Sequence, residues 1–327
     1  MTRLSALLAV TAFALPTSAA DAVVTTSEIA FTADDAKNNV PERFRLESHS
    51  FPATVTPKYT LKYSDVEVST VTFPSAVATE HAENNTVVCE YFRPKKPGKY
   101  PAAVVLDVLD GQLIVARGEA MWLAMHDVSA LVVVLPYYGP RRPTEGKHRL
   151  LSPDVDLSVK NVRQAVLDCR RATAWLAAQP DVDAKKLALV GTSLGSIVGA
   201  LVVSAEPRIA SACLLLGGGG LVDAFWDHPK AALLTSVLKA VGITKETLRK
   251  KIDPVDPLTY AACLKGKDLL FVAASRDDVV QPAAMTRLWE ACDKKPKIVW
   301  LDATHVGAAF YAFPMMSAVV EHLKKEW

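Results

Sequence analysis

From Pro101 onward the chain repeats one pattern, a short and nearly unbroken apolar run followed by a longer stretch with helical spacing. A strand built almost wholly of apolar residues has no face to show water, so it belongs inside a sheet covered on both sides. Such strands separated by helices make crossover units, and these dictate parallel pairing. The runs at 102–108, 130–135, 187–190, 210–216, 269–273 and 298–301 are the candidate strands. Residues 114–126, 157–178, 194–205, 282–293 and 308–325 are the candidate helices. In the second of these, Val162, Ala165, Val166, Cys169, Thr173 and Leu176 recur every three or four residues, an apolar stripe that predicts packing on the sheet. Half of the 327 residues are hydrophobic, enough to fill such a core. The predicted fold class is α/β, a mostly parallel central sheet with helices on both faces.

Upstream the pattern differs. Residues 65–73 and 86–92 cluster β-branched and aromatic side chains between turn-forming segments, which predicts two strands at an antiparallel edge of the sheet. Residues 21–64 read as an extended lead-in, with Pro41, Pro52 and Pro57 interrupting any long element. In residues 1–20, Arg3 leads an apolar run from Leu4 to Leu15, and Ser18-Ala19-Ala20 offers small residues for cleavage. That is the layout of a secretory signal peptide, and Pro16 ends the run short of the length that spans a bilayer. The expectation is export to periplasm or medium, with no stable membrane anchor after cleavage near Ala20 and a main domain over 65–327.

Losing Arg3 with that segment lowers the formal charge from +2 to +1, and no basic stripe is interleaved with aromatics, so nucleic-acid partners are not expected. Cys89, Cys169, Cys213, Cys263 and Cys292 lack metal-type spacing, and most lie in apolar segments as small hydrophobes. Being odd in number, they leave at least one thiol unpaired within the chain. Asn84-Asn85-Thr86 fits a glycosylation acceptor in an exported protein whose host glycosylates.

The chemistry is concentrated at strand ends. Gly191-Thr192-Ser193-Leu194-Gly195 follows the apolar run 187–190 and opens an apolar helix. A strand, sharp turn and helix with serine at the apex lifts the hydroxyl above the sheet, and glycines flank it because a Cβ there would collide with neighbouring backbone. The pentapeptide alone is weak, arising by chance in roughly one chain of this length in ten. A serine nucleophile also needs a base, and the base needs an orienting carboxylate, in the chain order serine, acid, histidine. Asp277 lies just past the run 269–273 and His305 just past 298–301. Asp278 is the nearest rival as acid and Asp223 a more distant one; none of the six other histidines ends a core strand near the C-terminus. For the oxyanion, the helix beginning at Leu194 supplies one backbone N–H, and the loop Leu106-Asp107-Val108-Leu109-Asp110-Gly111 supplies the second, placed at Leu109. Asp107 and Asp110 also suit turn and cap formation.

With these motifs the chain resembles α/β-hydrolases of the dienelactone hydrolase, acetyl xylan esterase and prolyl-oligopeptidase-like group over residues 86–325. The resemblance rests on Gly191 to Gly195, Arg276-Asp277-Asp278-Val279-Val280, Thr304-His305 and Pro136-Tyr137-Tyr138-Gly139-Pro140-Arg141. It implies an α/β-hydrolase fold, with Ser193 as nucleophile, His305 as general base and Asp277 as its partner. The chain departs from the group at Asp107-Val108, where relatives commonly show His-Gly, and at Ser196, where a glycine often follows the elbow.

The expected reaction is hydrolysis of a small-molecule carboxylic ester without a cofactor or metal. A peptidase or amidase is the alternative enzyme, and a non-catalytic binding module on the same fold the alternative of another class. Residues 217–256 are a candidate cap formed by Leu221, Phe225, Trp226 and a helix through Leu238, with Phe225 and Trp226 as substrate contacts, or else a surface helix with a packed aromatic pair. Gly217 to Gly220 let backbone segments approach closely there. Tyr138 is a further candidate contact; Arg141 and Arg142 suit an acidic group or, more simply, structural ion pairs.

Overall fold

A computed structural model describes residues 23–61, 64–226 and 228–325. The candidate signal segment lies outside them. Four antiparallel strands lead: β1 (Thr25–Phe31), β2 (His49–Leu61), β3 (Val66–Pro74) and β4 (Thr86–Pro94). The alternating half follows as β5 (Tyr100–Leu106), α1 (Ile114–Met125), β6 (Ser129–Val133), α2 (Val155–Ala177), β7 (Val182–Thr192), α3 (Leu194–Ala205) and β8 (Ile209–Leu215). Four short helices come next: α4 (Leu221–Phe225), α5 (Ala232–Ala240), α6 (Lys245–Ile252) and α7 (Ala261–Leu264). β9 (Asp268–Ala274), α8 (Pro282–Ala291), β10 (Lys297–Leu301) and α9 (Ala312–Lys325) close the chain. All ten strands form one sheet in the order β1-β2-β3-β4-β6-β5-β7-β8-β9-β10, parallel from β6 onward.

The lead-in departs from expectation. Two of its three prolines do not interrupt it, because β2 runs through both Pro52 and Pro57, while Pro41 lies in the connection between β1 and β2. Proline lacks an N–H and is tolerated where a strand has one partner. Pro52 sits where β2 pairs only with β1, and Pro57 where it pairs only with β3, next to a bulge. The segment is thus part of the sheet. Asp35 anchors it, its carboxylate accepting from Arg170 of α2 at 2.6 and 2.7 Å.

Each sheet face has its own core. On one, Val162, Ala165, Val166, Cys169 and Leu176 of α2 are buried with Val198 and Leu201 of α3 and Leu288 of α8. Each fully buried aliphatic side chain contributes about 1.5–3 kcal/mol. The Asp154 carboxylate caps α2, accepting from the amides of Asp156 and Leu157. On the other face α1 and α9 pack through Ala116, Ala120, Leu123, Val319 and Leu323. The stretch Val306–Lys325 is long and apolar enough to cross a bilayer by length and composition, but its inner side is committed to this core.

The glycosylation reading is corrected. Asn84 is fully buried; its amide donates to Gln164 Oε1 and its Oδ1 accepts from the Tyr137 amide, so the folded protein offers no acceptor there. The five cysteines are free thiols, four of them buried, and burial raises the pKa of each. They are packing residues.

Candidate active site

The parallel ladder continues past the strand ends. The Ser193 amide donates to Leu215 O, the Leu216 amide to Val272 O, and the Ser275 amide to Leu301 O, at 2.7–2.8 Å. These bonds tie the segments carrying the serine, the acid and the histidine side by side. Ser193 sits at φ +55°, a region that a non-glycine residue occupies only under constraint. The constraint is close packing. A Cβ at Gly191 would come within 2.2 Å of Gly195 O, and one at Gly195 within 2.2 Å of Leu106 O. The turn therefore presses against the end of β5, and the β5–α1 loop borders the serine.

Ser193 Oγ lies 2.9 Å from His305 Nε2, and His305 Nδ1 lies 2.7 Å from Asp277 Oδ2. The other oxygen of Asp277 accepts from the amides of Val279 and Val280 at 2.9 and 2.8 Å, so the carboxylate cannot swing away. The rivals are placed differently. Asp223 lies on α4, bonded to Arg249 and paired with Lys245, and the Arg249 bond holds its carboxyl below the usual range. Asp278 is half-buried beside Asp277. Replacing Asp277 by Asn should lower turnover by about 10²–10⁴-fold, since the amide cannot hold the imidazolium, whereas Asp223→Asn should stay within about threefold. Steady-state kinetics of the two variants on one ester checks this, and equal losses would remove Asp277 from the relay.

The Leu194 amide opens α3, where first-turn N–H groups lack intrahelical acceptors. In the facing loop Asp107 is buried and caps α1, accepting from the amides of Leu113 at 2.8 Å and Ala116 at 3.1 Å; Val108 also donates to it. Burial raises the Asp107 pKa. With Val108 committed, Leu109, half exposed, carries the next amide of the loop. Ser196 packs against Gly217, where a Cβ would meet its Oγ at 2.2 Å. Gly218 and Gly219 likewise leave room for Ala284 and Leu258.

Tyr138, Phe225 and Trp226 each pack against neighbours of their own. Tyr138 is buried under Arg142, burial pushes its hydroxyl up to about 12, and it lines a cleft of about 420 Å³ with Asp110 and Arg117. Arg141 is fully buried and donates to Asp168, Val134 O and Asn84 O, an internal tie. Phe225 packs on Val280 and Ala284 beside the acid loop. Trp226 is buried, with Lys239 over its ring.

Two features escaped the sequence reading. Asp256 locks the insertion at its base, accepting from Gly220, Leu221 and Leu258 amides at 2.7–2.9 Å. Glu119 is buried on α1 with Thr192 donating to it at 2.6 Å, and burial pushes its carboxyl up to about 8. An acid among Ala116, Ala120 and Leu123, at buried helical spacing, was the available signal for Glu119.

A doubly covered parallel sheet with a strained serine turn, a hydrogen-bonded histidine and an acid at later strand ends defines the class as the α/β-hydrolase fold. Within it the chain belongs to the alpha/beta hydrolase domain containing 18 family, whose model matches residues 60–225. A model of the prolyl oligopeptidase family matches residues 156–305. Among solved structures, an acetyl xylan esterase from a Paenibacillus species superposes with a TM-score of 0.68 at 17% identity, covering 82% of this chain and 88% of that one. One from a Thermoanaerobacterium species gives 0.60 at 17%, covering 83% and 87%. A Pyrococcus furiosus esterase gives 0.56 at 17%, covering 82% and 94%. At such identity the likeness is one of fold. Two uncharacterized Mycobacterium tuberculosis proteins are 30% identical over 196 residues, 56% of this chain and 44% of theirs. The chain thus spans less than half the length of the curated relatives it matches.

Proposed function

We propose that the chain is a serine hydrolase that cleaves small carboxylic esters. The observation that carries this reading is the continuous hydrogen-bonded chain from Ser193 Oγ through His305 to Asp277. In the proposed cycle Ser193 Oγ attacks the acyl carbon while His305 Nε2 takes its proton, and Asp277 steadies the imidazolium at Nδ1. The tetrahedral oxyanion is held by the amides of Leu194 and Leu109. Collapse breaks the ester bond as His305 returns the proton to the leaving alkoxide, leaving an acyl-serine. Water then repeats the sequence with His305 as base, releasing the acid and restoring Ser193. The relay needs no cofactor. Residues 1–20 fit an exported form in this proposal, working in periplasm or medium.

A second reading, amide cleavage, is favoured by the prolyl oligopeptidase match over residues 156–305. A panel of chromogenic acyl esters and aminoacyl anilides separates the two. Esters should turn over at least about a hundredfold faster, beyond their greater intrinsic reactivity measured in buffer. Faster anilide turnover would reverse the assignment. A non-catalytic protein would turn over neither and leave Ser193 unlabelled by a fluorophosphonate.

A further inference from the structure

The serine turn rests on a buried acid that the cycle above leaves unused. Glu119 is 6% exposed and reaches from α1 to Thr192, the last residue of β7 and the one before Ser193. Its Oε1 accepts from Thr192 Oγ1, while its Oε2 is buried with no hydrogen-bond partner among the described residues. As a carboxylate it would hold a full charge against a single hydroxyl donor, a costly arrangement. As a neutral acid it shares one hydrogen bond with Thr192 and leaves only a carbonyl-type oxygen unpaired, a smaller penalty.

Among the described residues no cation is bonded to Glu119. Asp107, at the end of β5, and the Cys213 thiol on β8 are the ionisable groups that act on Glu119 or feel it, and neither carries positive charge. Arg117, on the same helix, is bonded to Glu90 of β4, which also takes Lys58. Glu67 of β3 is bonded to Arg93, and Lys324 of α9 lies nearest Asp127. The uncharged form is the one this pocket favours.

We propose that Glu119 is a positioning residue of the site: held uncharged behind the serine turn, its carboxyl group fixes Thr192 and through it Ser193. Resting on the serine-hydrolase reading, this adds a condition to it. Ionisation of Glu119 sets a second negative charge beside Asp107, behind the place where an oxyanion must form, and draws Thr192 toward a carboxylate seeking donors. The burial that lifts the Glu119 carboxyl to about 8 puts that transition within reach of an ordinary pH profile.

The test uses a fluorophosphonate, whose attack by Ser193 needs the relay but no knowledge of the natural ester. In the wild type the second-order labelling rate should fall by about tenfold between about pH 7 and 9.5. Glu119→Gln keeps an acceptor for Thr192 and cannot ionise. Its rate near pH 7 should stay within about threefold of wild type, and the alkaline fall should vanish. Glu119→Ala should lose about ten- to a hundredfold at every pH, with a thermal melt recording whether the fold persists. An alkaline fall kept in Glu119→Gln overturns the proposal, as does a loss in Glu119→Gln equal to that in a folded Glu119→Ala. Wild type that never labels overturns the hydrolase reading instead, so the two failures are distinct.

Discussion

Ser193→Ala should abolish ester turnover, with a loss of about 10⁴–10⁶-fold, while the protein keeps its fold. The loss is large because the hydroxyl is the only member of the relay that forms a bond to carbon; histidine and acid have nothing to activate without it. The fold should survive because among the described residues Ser193 Oγ is bonded to His305 alone, and one hydrogen bond of that kind contributes about 1 kcal/mol. Steric demand also falls at a turn where neighbouring backbone would tolerate no added Cβ. Turnover of a reactive ester, fluorophosphonate labelling and a thermal melt on the same preparation form the measurement. Equal labelling of the variant and the wild type would remove Ser193 from the chemistry altogether.

Arg141→Ala should instead act on stability, costing about 3–5 kcal/mol and lowering the melting midpoint by roughly 10 °C. The guanidinium is fully buried and joins three acceptors: the Asp168 carboxylate at 2.7 Å, Val134 O at 2.9 Å and Asn84 O at 2.8 Å. Among the described residues, removing it leaves Asp168, itself buried, with only Ser75 Oγ and the Ala76 amide, and takes a donor from each of two carbonyls. Arg141→Lys should recover little, since a single ammonium cannot span that fork. The same variant decides between the two roles that its sequence position allows. If Arg141 bound an acidic substrate group, KM would rise for anionic esters relative to neutral ones; as an internal tie it should shift both equally at a temperature where the variant is folded. A selective KM effect with an unchanged melt would contradict the structure's placement of this residue.

Much of the fold was legible because buried parallel strands write themselves as apolar runs. The runs around Val104, Val132, Leu189, Leu214, Phe271 and Val299 each fall within a strand of the sheet. Ser193, Asp277 and His305 were legible as strand-end residues in a fixed chain order. The edge strands were harder. Pro52 and Pro57 argue against a long strand only if every residue of β2 must donate to a neighbour, and the staggered pairing of β1 and β3 exempts both. Asn84 read as an acceptor because a tripeptide carries no sign of burial, and its partners Gln164 and Tyr137 are far away in sequence. Tyr138, Phe225 and Trp226 were chosen by residue type and loop position; Tyr138 lies under Arg142 away from the insertion, and the neighbours of Phe225 and Trp226 depend on how the insertion folds back, which Asp256 holds at its base. Glu119 went unseen because its meaning lies across the sheet at Thr192.

The bonds that extend the ladder beyond β7, β8, β9 and β10 make the sheet a ruler. Ser193, Leu216 and Ser275 are spaced by strand separation, and no side chain of the insertion takes part in those bonds. The stretch from α4 to α6 supplies none of those bonds, so the spacing of the serine, acid and histidine segments is set by the backbone of the sheet.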